Sequence, residues 1–441
     1  MPHRSPASGG ASGDARAGHP DAFGPSGHEP APPFGTPFGS EAGGGTADAV
    51  GTLPVELPDP VATLETELSL WAVVFAGGIG SRFWPLSTPE RPKQLLALVG
   101  DRPLIAETVN RLAPTVPPAR VLVLTSADIA DALRAAVPEV PDANFLVEPR
   151  PMGTAAALAW GAQEIATRVG RKATFVAMHA DLAVGYPDEL RRVIKRAALI
   201  ASTDGALVAI GAQPTRPETG FGYLLPPAPT DPVLDAAIDT TADATGDAGA
   251  AAAREAPRRV ARFVEKPGAI LAEELIAQGA LWNTGIFVWQ AGTVLDALEE
   301  RTPELQPGLA ALAAGKLDRF SGLIQAVSIE RGLLERSEDI VALPGEFGWD
   351  DVGTWASLRR VRELDDTGNG VWGPAHLVDA SSCVVHADGG TTVVVYGLSG
   401  MLVVARPGLT FVTSLDRAAE LNPLLNALPD ELANRSRRES L

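Results

Sequence analysis

Residues 71–94 read WAVVFAGGIGSRFWPLSTPERPKQ, and they contain the clearest indication of how the chain folds and what it binds. An apolar run of strand length ends directly in a loop rich in glycine and proline. Such loops commonly bind phosphate, because backbone N–H groups can approach an anion only where no Cβ intervenes. Two common spacings are excluded: a dinucleotide fingerprint needs glycine at Phe83, and a P-loop needs Gly-Lys-Ser/Thr where Ser81 and Arg82 stand.

Further along the chain, apolar runs of strand length alternate with helical patterns. Nearly continuous apolar strands separated by helices predict an α/β fold, with a mostly parallel, Rossmann-like sheet covered on both faces. Ligands of such sheets bind at the carboxyl ends of the strands. The strand runs are WAVVFA, RVLVLTS, NFLVEP, ATFVAMHAD and ALVAIGA, and the helical patterns lie at 104–112, 129–137, 154–169 and 187–200.

Composition divides the 441 residues into four parts. Residues 1–67 are rich in Gly, Ala, Pro and Ser without hydrophobic periodicity, which predicts a disordered tail. Residues 68–366 form the predicted catalytic domain, with a disordered insertion at about 226–257. Residues 367–428 contain short β runs and predict a small all-β domain resembling a left-handed β-helix, and 429–441 is a tail.

The charge balance and the cysteine content exclude several classes of protein. A net charge of -18 argues against nucleic acid and anionic membranes as partners, so an anionic substrate needs a local basic cluster. The single cysteine, Cys383, excludes an intramolecular disulfide. With neither a signal-peptide pattern nor a membrane-length apolar run, the sequence predicts a cytoplasmic protein.

Two cations in the opening stretch supply that basic cluster. Arg82 and Lys93 are expected at one mouth, because Pro85, Pro89 and Pro92 stiffen the loop between them. An isolated Arg or Lys is more often a solvated surface charge. Two cations with open backbone donors instead suit a triphosphate whose charge is neutralised during transfer.

GGIGSRFWPLS and PKQLL together resemble the signature of the sugar-1-phosphate nucleotidylyltransferases, and in detail that of the mannose-1-phosphate guanylyltransferase family. Later segments agree in order along residues 70–428. Several ordered motifs together are far more specific than any one alone. These segments are RPETGFGYL (216–224), FVEKP (263–267), LWNTGIFVW (281–289), SIERGLLERS (328–337) and GWDDVGTW (348–355).

The resemblance implies in-line transfer of a nucleotidyl group from GTP to mannose 1-phosphate, giving GDP-mannose and pyrophosphate, with Mg²⁺ as cofactor and a homodimer as the expected assembly. Arg82 and Lys93 are the expected catalytic residues. The expected nucleotide-binding residues are Gly77, Gly78, Gly80, Ser81, Arg82, Lys93, Gly153 and Thr154, and those for the sugar phosphate are Gly220, Gly222, Glu265, Lys266 and Asn283.

Two carboxylates are the expected ligands of the metal. Asp181 follows a buried strand, at the sheet edge where ligands bind. Asp350 and Asp351 point to opposite faces if the segment is extended, so only one of them reaches the metal. The resemblance selects Asp351, and Asp350 is expected to face solvent or cap a turn.

Two other segments give structural expectations. FVEKP is expected to end a strand and to place Pro267 in the first turn of a helix. SIERGLLERS is expected to pack Ile329 and Leu333 into the core and receives no catalytic role.

The chain also departs from the family, chiefly at Met152 and Gly153, where relatives typically have Arg-Asn near the nucleotide base. Another nucleoside triphosphate or another hexose 1-phosphate is therefore an alternative. A different class of function is a non-catalytic, sugar-nucleotide-binding regulatory paralogue. The complete charge set of Arg82, Lys93 and the two aspartates argues against that class.

Overall fold

The computed structural model describes residues 69–78, 81–89, 91–227, 256–429 and 432. The tail predicted at 1–67 lies outside the described residues, as do most of the insertion predicted at 226–257 and most of the tail predicted at 429–441. In the part of the chain that is described, no helix is both long and apolar enough to cross a membrane.

Strands and helices alternate between residues 71 and 361, as the sequence predicts. One boundary is wrong: the helix after FVEKP begins at Ala269 with Gly268 as its N-cap, so Pro267 precedes it. The strands are β1 Trp71–Phe75, β2 Val121–Ser126, β3 Phe145–Glu148, β4 Thr174–His179, β5 Ala183–Val184, β6 Leu207–Ala212, β7 Gly222–Leu225, β8 Arg258–Arg259, β9 Arg262–Glu265, β10 Leu281–Gln290, β11 Ile340–Pro344 and β12 Trp349–Asp350. The helices are α1 Leu104–Leu112, α2 Ala130–Ala136, α3 Thr154–Val169, α4 Pro187–Asp204, α5 Ala269–Ala277, α6 Ala291–Arg301, α7 Gln306–Ala313, α8 Leu317–Leu323, α9 Ile329–Gly332 and α10 Leu358–Val361.

One sheet of ten strands organises this part of the molecule, in the order β3-β2-β1-β4-β10-β6-β11-β8, with β7 attached to β10 and β9 to β7. β3, β2, β1 and β4 are parallel, whereas β10 runs antiparallel to both of its neighbours in that order. The chain moves outward from β1 to β3 and then returns to β4 on the other side of β1. Such a reversal opens a crevice at the carboxyl ends of β1 and β4, and α/β sheets bind their ligands in crevices of this kind.

Both faces of the sheet are buried, which explains the apolar strands. In β1, Trp71, Val73 and Phe75 enter one hydrophobic cluster with α3 and α6. Ala72 and Val74 enter a second cluster with α1, α2 and α4. Because successive strand residues point to opposite faces, the whole strand has to be apolar.

The C-terminal β region, residues 370–414, forms a coil of short strands. β13, β15 and β17 pair in parallel, β14 and β16 form a second parallel pair, and β18 closes the first sheet in antiparallel fashion. Stacked parallel passes of this kind agree with the predicted β-helix-like domain. The elements are β13 Gly370–Trp372, β14 Ala375–Val378, β15 Val384–Ala387, β16 Val393–Tyr396, β17 Met401–Arg406, β18 Leu409–Ser414 and a final helix, α11, Asn422–Ala427.

The C-terminal β region packs against the β1–α1 loop, residues 76–103. Phe83, Trp84 and Leu98 of the loop share one buried cluster with Leu402 and Phe411 of β17 and β18. The glycine-rich loop therefore lies between the main sheet and the C-terminal β region.

Candidate active site

A cleft of about 420 Å³ lies where β1 and β4 end. The glycines that follow β1 and the aspartate that follows β4 meet there because the two strands are parallel neighbours. Most of the predicted site residues line this cleft, namely Gly77, Gly78, Arg82, Lys93, Asp181, Gly220, Gly222, Glu265, Lys266, Asn283 and Asp351.

The glycines of the β1–α1 loop leave one wall of the cleft open. A Cβ at Gly77 or Gly78 would meet no atom within 4 Å, and Gly78 has φ +94°, which side chains other than glycine rarely adopt. Buried Gln94 fixes this segment, since its Nε2 donates to the carbonyl of Gly78 at 3.2 Å. Gly80 and the side chain of Ser81 lie outside the described part, so their predicted roles stay predictions.

Lys93 links the two segments that carry the predicted metal ligands. Its side chain is buried, and its Nζ lies 2.9 Å from Oδ2 of Asp181. The same Nζ donates to the backbone carbonyl of Asp351 at 2.9 Å. One ammonium therefore holds the loops after β4 and β12 together.

The two carboxylates have opposite pKa shifts. Burial by itself would raise the pKa of Asp181, but the charges of Lys93 and His179 hold it below its ordinary value. For Asp351, burial prevails over the attraction of Lys93 and raises the pKa, and the charge of Asp350 adds to this effect. A bound cation would favour the charged form of Asp351 and so oppose the effect of its burial.

Asp350 does not face solvent, so that expectation is wrong, whereas the alternative that it caps a turn is confirmed. It lies in β12, is 6% exposed, and binds Arg360 through both oxygens at 2.6 and 3.0 Å. Its Oδ1 also accepts from the amide of Val352 at 2.9 Å. Strand alternation does turn Asp351 toward the cleft, as predicted.

The predicted sugar-phosphate residues come together on β7, β9 and β10 or directly beside these strands, since Gly220 precedes β7 and Lys266 follows β9. Gly222 pairs with Glu265 across β7 and β9, and a Cβ at Gly222 would lie 2.8 Å from Oε2 of that glutamate. Lys266 donates to Oε1 of Glu265 at 2.7 Å. Burial raises the pKa of Glu265, and the hydrogen bond from Lys266 opposes this shift.

A bulge in β10 orients Asn283. The register shifts between Asn283 and Ile286, and Gly285, with φ +70°, donates to Oδ1 of Asn283 at 3.2 Å. Thr284 fixes the bulge by donating to the carbonyl of Ile210 at 2.7 Å. Asn283 can therefore offer its NH2 group to the cleft as a donor, and its Oδ1 keeps one lone pair beyond the bond from Gly285.

Three aromatic rings support this side of the cleft. Phe221 packs edge-on against Trp282 and Trp349, with ring centroids 5.2 and 5.0 Å apart. Arg216 lies over Trp282, with its guanidinium 4.9 Å from the ring centroid. Packed rings of this size keep the neighbouring backbone rigid.

Gly153 and Thr154 are not brought into the cleft with the other predicted nucleotide-binding residues. The backbone of Gly153 lies against Val327, and a Cβ there would come within 2.6 Å of the Val327 carbonyl. Thr154 accepts from the amide of Ile329 at 2.9 Å and lines an adjoining cleft of about 490 Å³. Their nucleotide-binding role stays a prediction.

Several cleft residues were missed from the sequence. Ile329 and Leu333 are buried as predicted, but Glu330 of the same segment lines both clefts. Gln94 and Trp349 also line the main cleft. Gln94 follows Lys93 in PKQLL, and Trp349 lies two residues before Asp351 in GWDDVGTW. That adjacency was a usable signal for Gln94 and Trp349, whereas nothing in the local pattern indicated Glu330.

The donor set of the cleft fits magnesium. In the described ranges, no three or more His, Cys, Asp or Glu side chains form a metal-ligand group. Mg²⁺ needs fewer, because it commonly takes one or two protein carboxylates and completes its shell with water and substrate phosphates. Asp181 and Asp351, joined through Lys93, would supply those carboxylates.

Comparison with known proteins agrees with this geometry. The family model described as Nucleotidyl transferase matches residues 71–367. The chain belongs to the nucleotidyl transferase family. The matched residues of this nucleotidyltransferase include the β1 and β4 ends described above, and the resemblance stated from the motifs is confirmed.

Individual relatives of this nucleotidyltransferase cover most of the chain. A mannose-1-phosphate guanylyltransferase from Sinorhizobium fredii is 28% identical over 80% of this chain and 67% of its own length. The xanthan biosynthesis protein XanB of Xanthomonas campestris is 31% identical over 81% of this chain and 72% of its own. A crystal structure of a mannose-1-phosphate geranyltransferase from Thermus thermophilus is similar with a TM-score of 0.69 and 31% identity, covering 81% of this chain and 99% of that one.

Proposed function

We propose that the protein is a mannose-1-phosphate guanylyltransferase, which converts GTP and mannose 1-phosphate to GDP-mannose and pyrophosphate. The observation that carries this proposal is a single cleft lined by Arg82, Lys93, two aspartates and the Glu265–Lys266 pair. Cations for a triphosphate, carboxylates for a metal and acceptors for hydroxyl groups are the parts that this transfer needs. The names of the relatives support mannose 1-phosphate and GTP as the substrates.

In this proposal, an oxygen of the sugar phosphate attacks the α-phosphorus of GTP. The new P–O bond forms as the bond from the α-phosphorus to the bridging oxygen breaks, and pyrophosphate leaves with the electron pair. Arg82 and Lys93 neutralise the charge that gathers on the leaving group. The protein supplies position and charge, and no covalent intermediate with a side chain is required.

The other end of the cleft would hold the sugar phosphate. Lys266 binds its phosphate, and Glu265 accepts hydrogen bonds from sugar hydroxyl groups. Asn283 donates through its NH2 group, while its oxygen accepts from Gly285. Gly220 and Gly222 line the same cleft and, having no side chain, would let the backbone approach the sugar.

Asp181 and Asp351 would hold Mg²⁺, which when bound supplies positive charge for the phosphate oxygens. Lys93 binds Asp181 and lines the same cleft, so its charge would act on both that carboxylate and the triphosphate. The homodimer and the cytoplasmic location stay predictions, which size-exclusion chromatography and cell fractionation test.

The experiment is a substrate matrix. Purified protein with Mg²⁺ is assayed for pyrophosphate release with each of the four common nucleoside triphosphates and with several hexose 1-phosphates. The proposal expects the highest kcat/KM for GTP with mannose 1-phosphate. Faster turnover of another pair would assign another nucleotide or sugar, and tight GDP-mannose binding with no turnover of any pair would assign a regulatory binding protein.

A further inference from the structure

The β1–α1 loop buries its apolar side chains although it contains little regular structure. Its only helical turns in the described residues are Ser81–Phe83 and Lys93–Leu95. Phe83 is fully buried, and Trp84 and Leu86 are 6% and 3% exposed. These side chains pack partly against one another and against Leu96 and Leu98, and the rest of their cluster comes from elsewhere in the chain.

Many of those partners belong to the C-terminal β region. Leu402 and Val404 point from β17 into the same cluster as the loop, whereas Val403 points into the interior of the coil. Phe411 of β18 packs edge-on against Trp84, with ring centroids 5.1 Å apart at 73°. One face of a sheet outside the catalytic fold thus supports the loop.

Hydrogen bonds fix the backbone of the loop at the same point. Nη1 of Arg406 donates to the carbonyl of Pro85 at 3.1 Å. Nε1 of Trp355 donates to the carbonyl of Trp84, also at 3.1 Å. Two consecutive carbonyls, only two and three residues beyond Arg82, are therefore held by side chains from distant parts of the chain.

Arg82 depends on this support more than the other cations of the cleft. Its side chain is exposed, whereas Lys93 is buried and held by two oxygens. The backbone fixes the point from which an exposed side chain such as that of Arg82 starts. The C-terminal β region holds the backbone just after Arg82, through Arg406 and the carbonyl of Pro85. A misplacement of about 1 Å in a reacting complex can cost roughly 100-fold in rate.

We propose that Arg406 and Phe411 are positioning residues for nucleotidyl transfer, which fix Trp84 and Pro85 and thereby aim Arg82 at the triphosphate. This inference rests on the proposed function, because Arg82 needs a triphosphate to act on. The C-terminal β region then contributes to catalysis without touching a substrate.

The test compares Arg406→Ala, Arg406→Lys and Phe411→Ala with Val412→Ala. Val412 is the matched control, because it is the next residue of β18, points outward and is 51% exposed. Arg406→Ala and Phe411→Ala should lower kcat at least tenfold, because Arg82 would no longer be held in its reacting position. Both variants should also raise the KM for GTP. The KM for mannose 1-phosphate should stay within about twofold of wild type, because Glu265 and Lys266 lie outside the loop. Arg406→Lys keeps a donor and should recover most of the rate.

Amide hydrogen exchange gives a second readout that needs no turnover. The amides of Leu86 and Ser87 both donate to the carbonyl of Phe83, at 2.9 and 3.0 Å, and report on the turn that follows Arg82. They should exchange several-fold faster in Arg406→Ala than in Val412→Ala. Unchanged exchange together with unchanged kcat would overturn the positioning role. If the wild-type protein turns over no substrate, the proposed function fails. Equal exchange rates of the Leu86 and Ser87 amides in Arg406→Ala and Val412→Ala would overturn the positioning role on their own, whatever the activity.

Discussion

His386 connects the β1–α1 loop to the C-terminal β region through Arg362. The histidine ring is 3% exposed, and Nη2 of Arg362 donates to its Nδ1 at 3.1 Å. Nε of the same arginine donates to the carbonyl of Leu98 at 3.0 Å. A guanidinium can only donate, so Nδ1 has to accept and the ring has to stay neutral. Burial, together with the charge of Arg362, lowers the pKa of His386 to about 3.

Acid should therefore destabilise the protein through this residue. In the unfolded chain a histidine has a pKa of about 6.5, so between that value and about 3 only the unfolded state binds the proton. The contribution of His386 to the free energy of unfolding is therefore fully present above about pH 6.5 and is lost as the pH falls below that value. Each pH unit is worth about 1.4 kcal/mol, so at pH 5 the loss is about 2 kcal/mol relative to pH 7.5.

The measurement is urea unfolding at pH 7.5 and pH 5.0, followed by tryptophan fluorescence because Trp355 and Trp372 pack against the ring. Other groups titrate in this range, so the informative quantity is the difference from His386→Gln, whose oxygen can accept from Arg362 without titrating. Wild type should lose about 2 kcal/mol more than this variant between the two pH values. His376→Gln, at an exposed histidine of the same region, is the control and should behave as wild type. Equal losses in wild type and His386→Gln would refute the argument.

Three further predictions concern the cleft and its support. Asp351→Asn should abolish Mg²⁺-dependent pyrophosphate release while keeping GDP-mannose binding, and full turnover in this variant, with binding confirmed by calorimetry, would contradict its metal role. Gly222→Ala should raise the KM for mannose 1-phosphate at least tenfold and leave that for GTP unchanged, because the added Cβ would lie 2.6 Å from Cζ of Phe263 and 2.8 Å from Oε2 of Glu265 and would displace both side chains. Asp350→Ala should lower the free energy of unfolding by about 1–3 kcal/mol, measured in urea, because it leaves the buried amide of Val352 without its acceptor and removes the ion pair with Arg360; an unchanged midpoint would exclude that contribution.

The order of strands and helices follows from the sequence because it depends on local periodicity. β1 and β4 are apolar on both faces, and this pattern predicts a parallel sheet buried on both sides. β10 is also buried along nearly its whole length, yet it runs antiparallel between β4 and β6. Burial sets the apolar content of a strand but not its direction, so the antiparallel strand could not be predicted from its composition.

The residues that line the cleft could be predicted where one motif contains several charged groups. The burial of a side chain could not be predicted where it depends on a partner far away in the sequence. Strand alternation separated Asp350 from Asp351 correctly. The sequence leaves solvent exposure or a turn cap as alternatives for Asp350, because it does not identify Arg360 as the partner that keeps this side chain buried. Glu330 was missed because helical spacing in a four-residue helix identifies only the buried face. The contact between Trp84 and Phe411 joins residues too far apart for any local pattern.

The support of the β1–α1 loop by the C-terminal β region also sets the order in which the protein matures during synthesis. Arg406 lies 321 residues after Pro85, whose carbonyl it holds. At about 5–20 residues per second, a ribosome needs roughly 15 to 60 seconds to cover that distance. During this interval the main sheet can form, but Trp84 lacks the ring of Phe411 that covers it. The glycine-rich loop is therefore among the last parts of a nascent chain to become locked, although its residues are translated long before those that hold it.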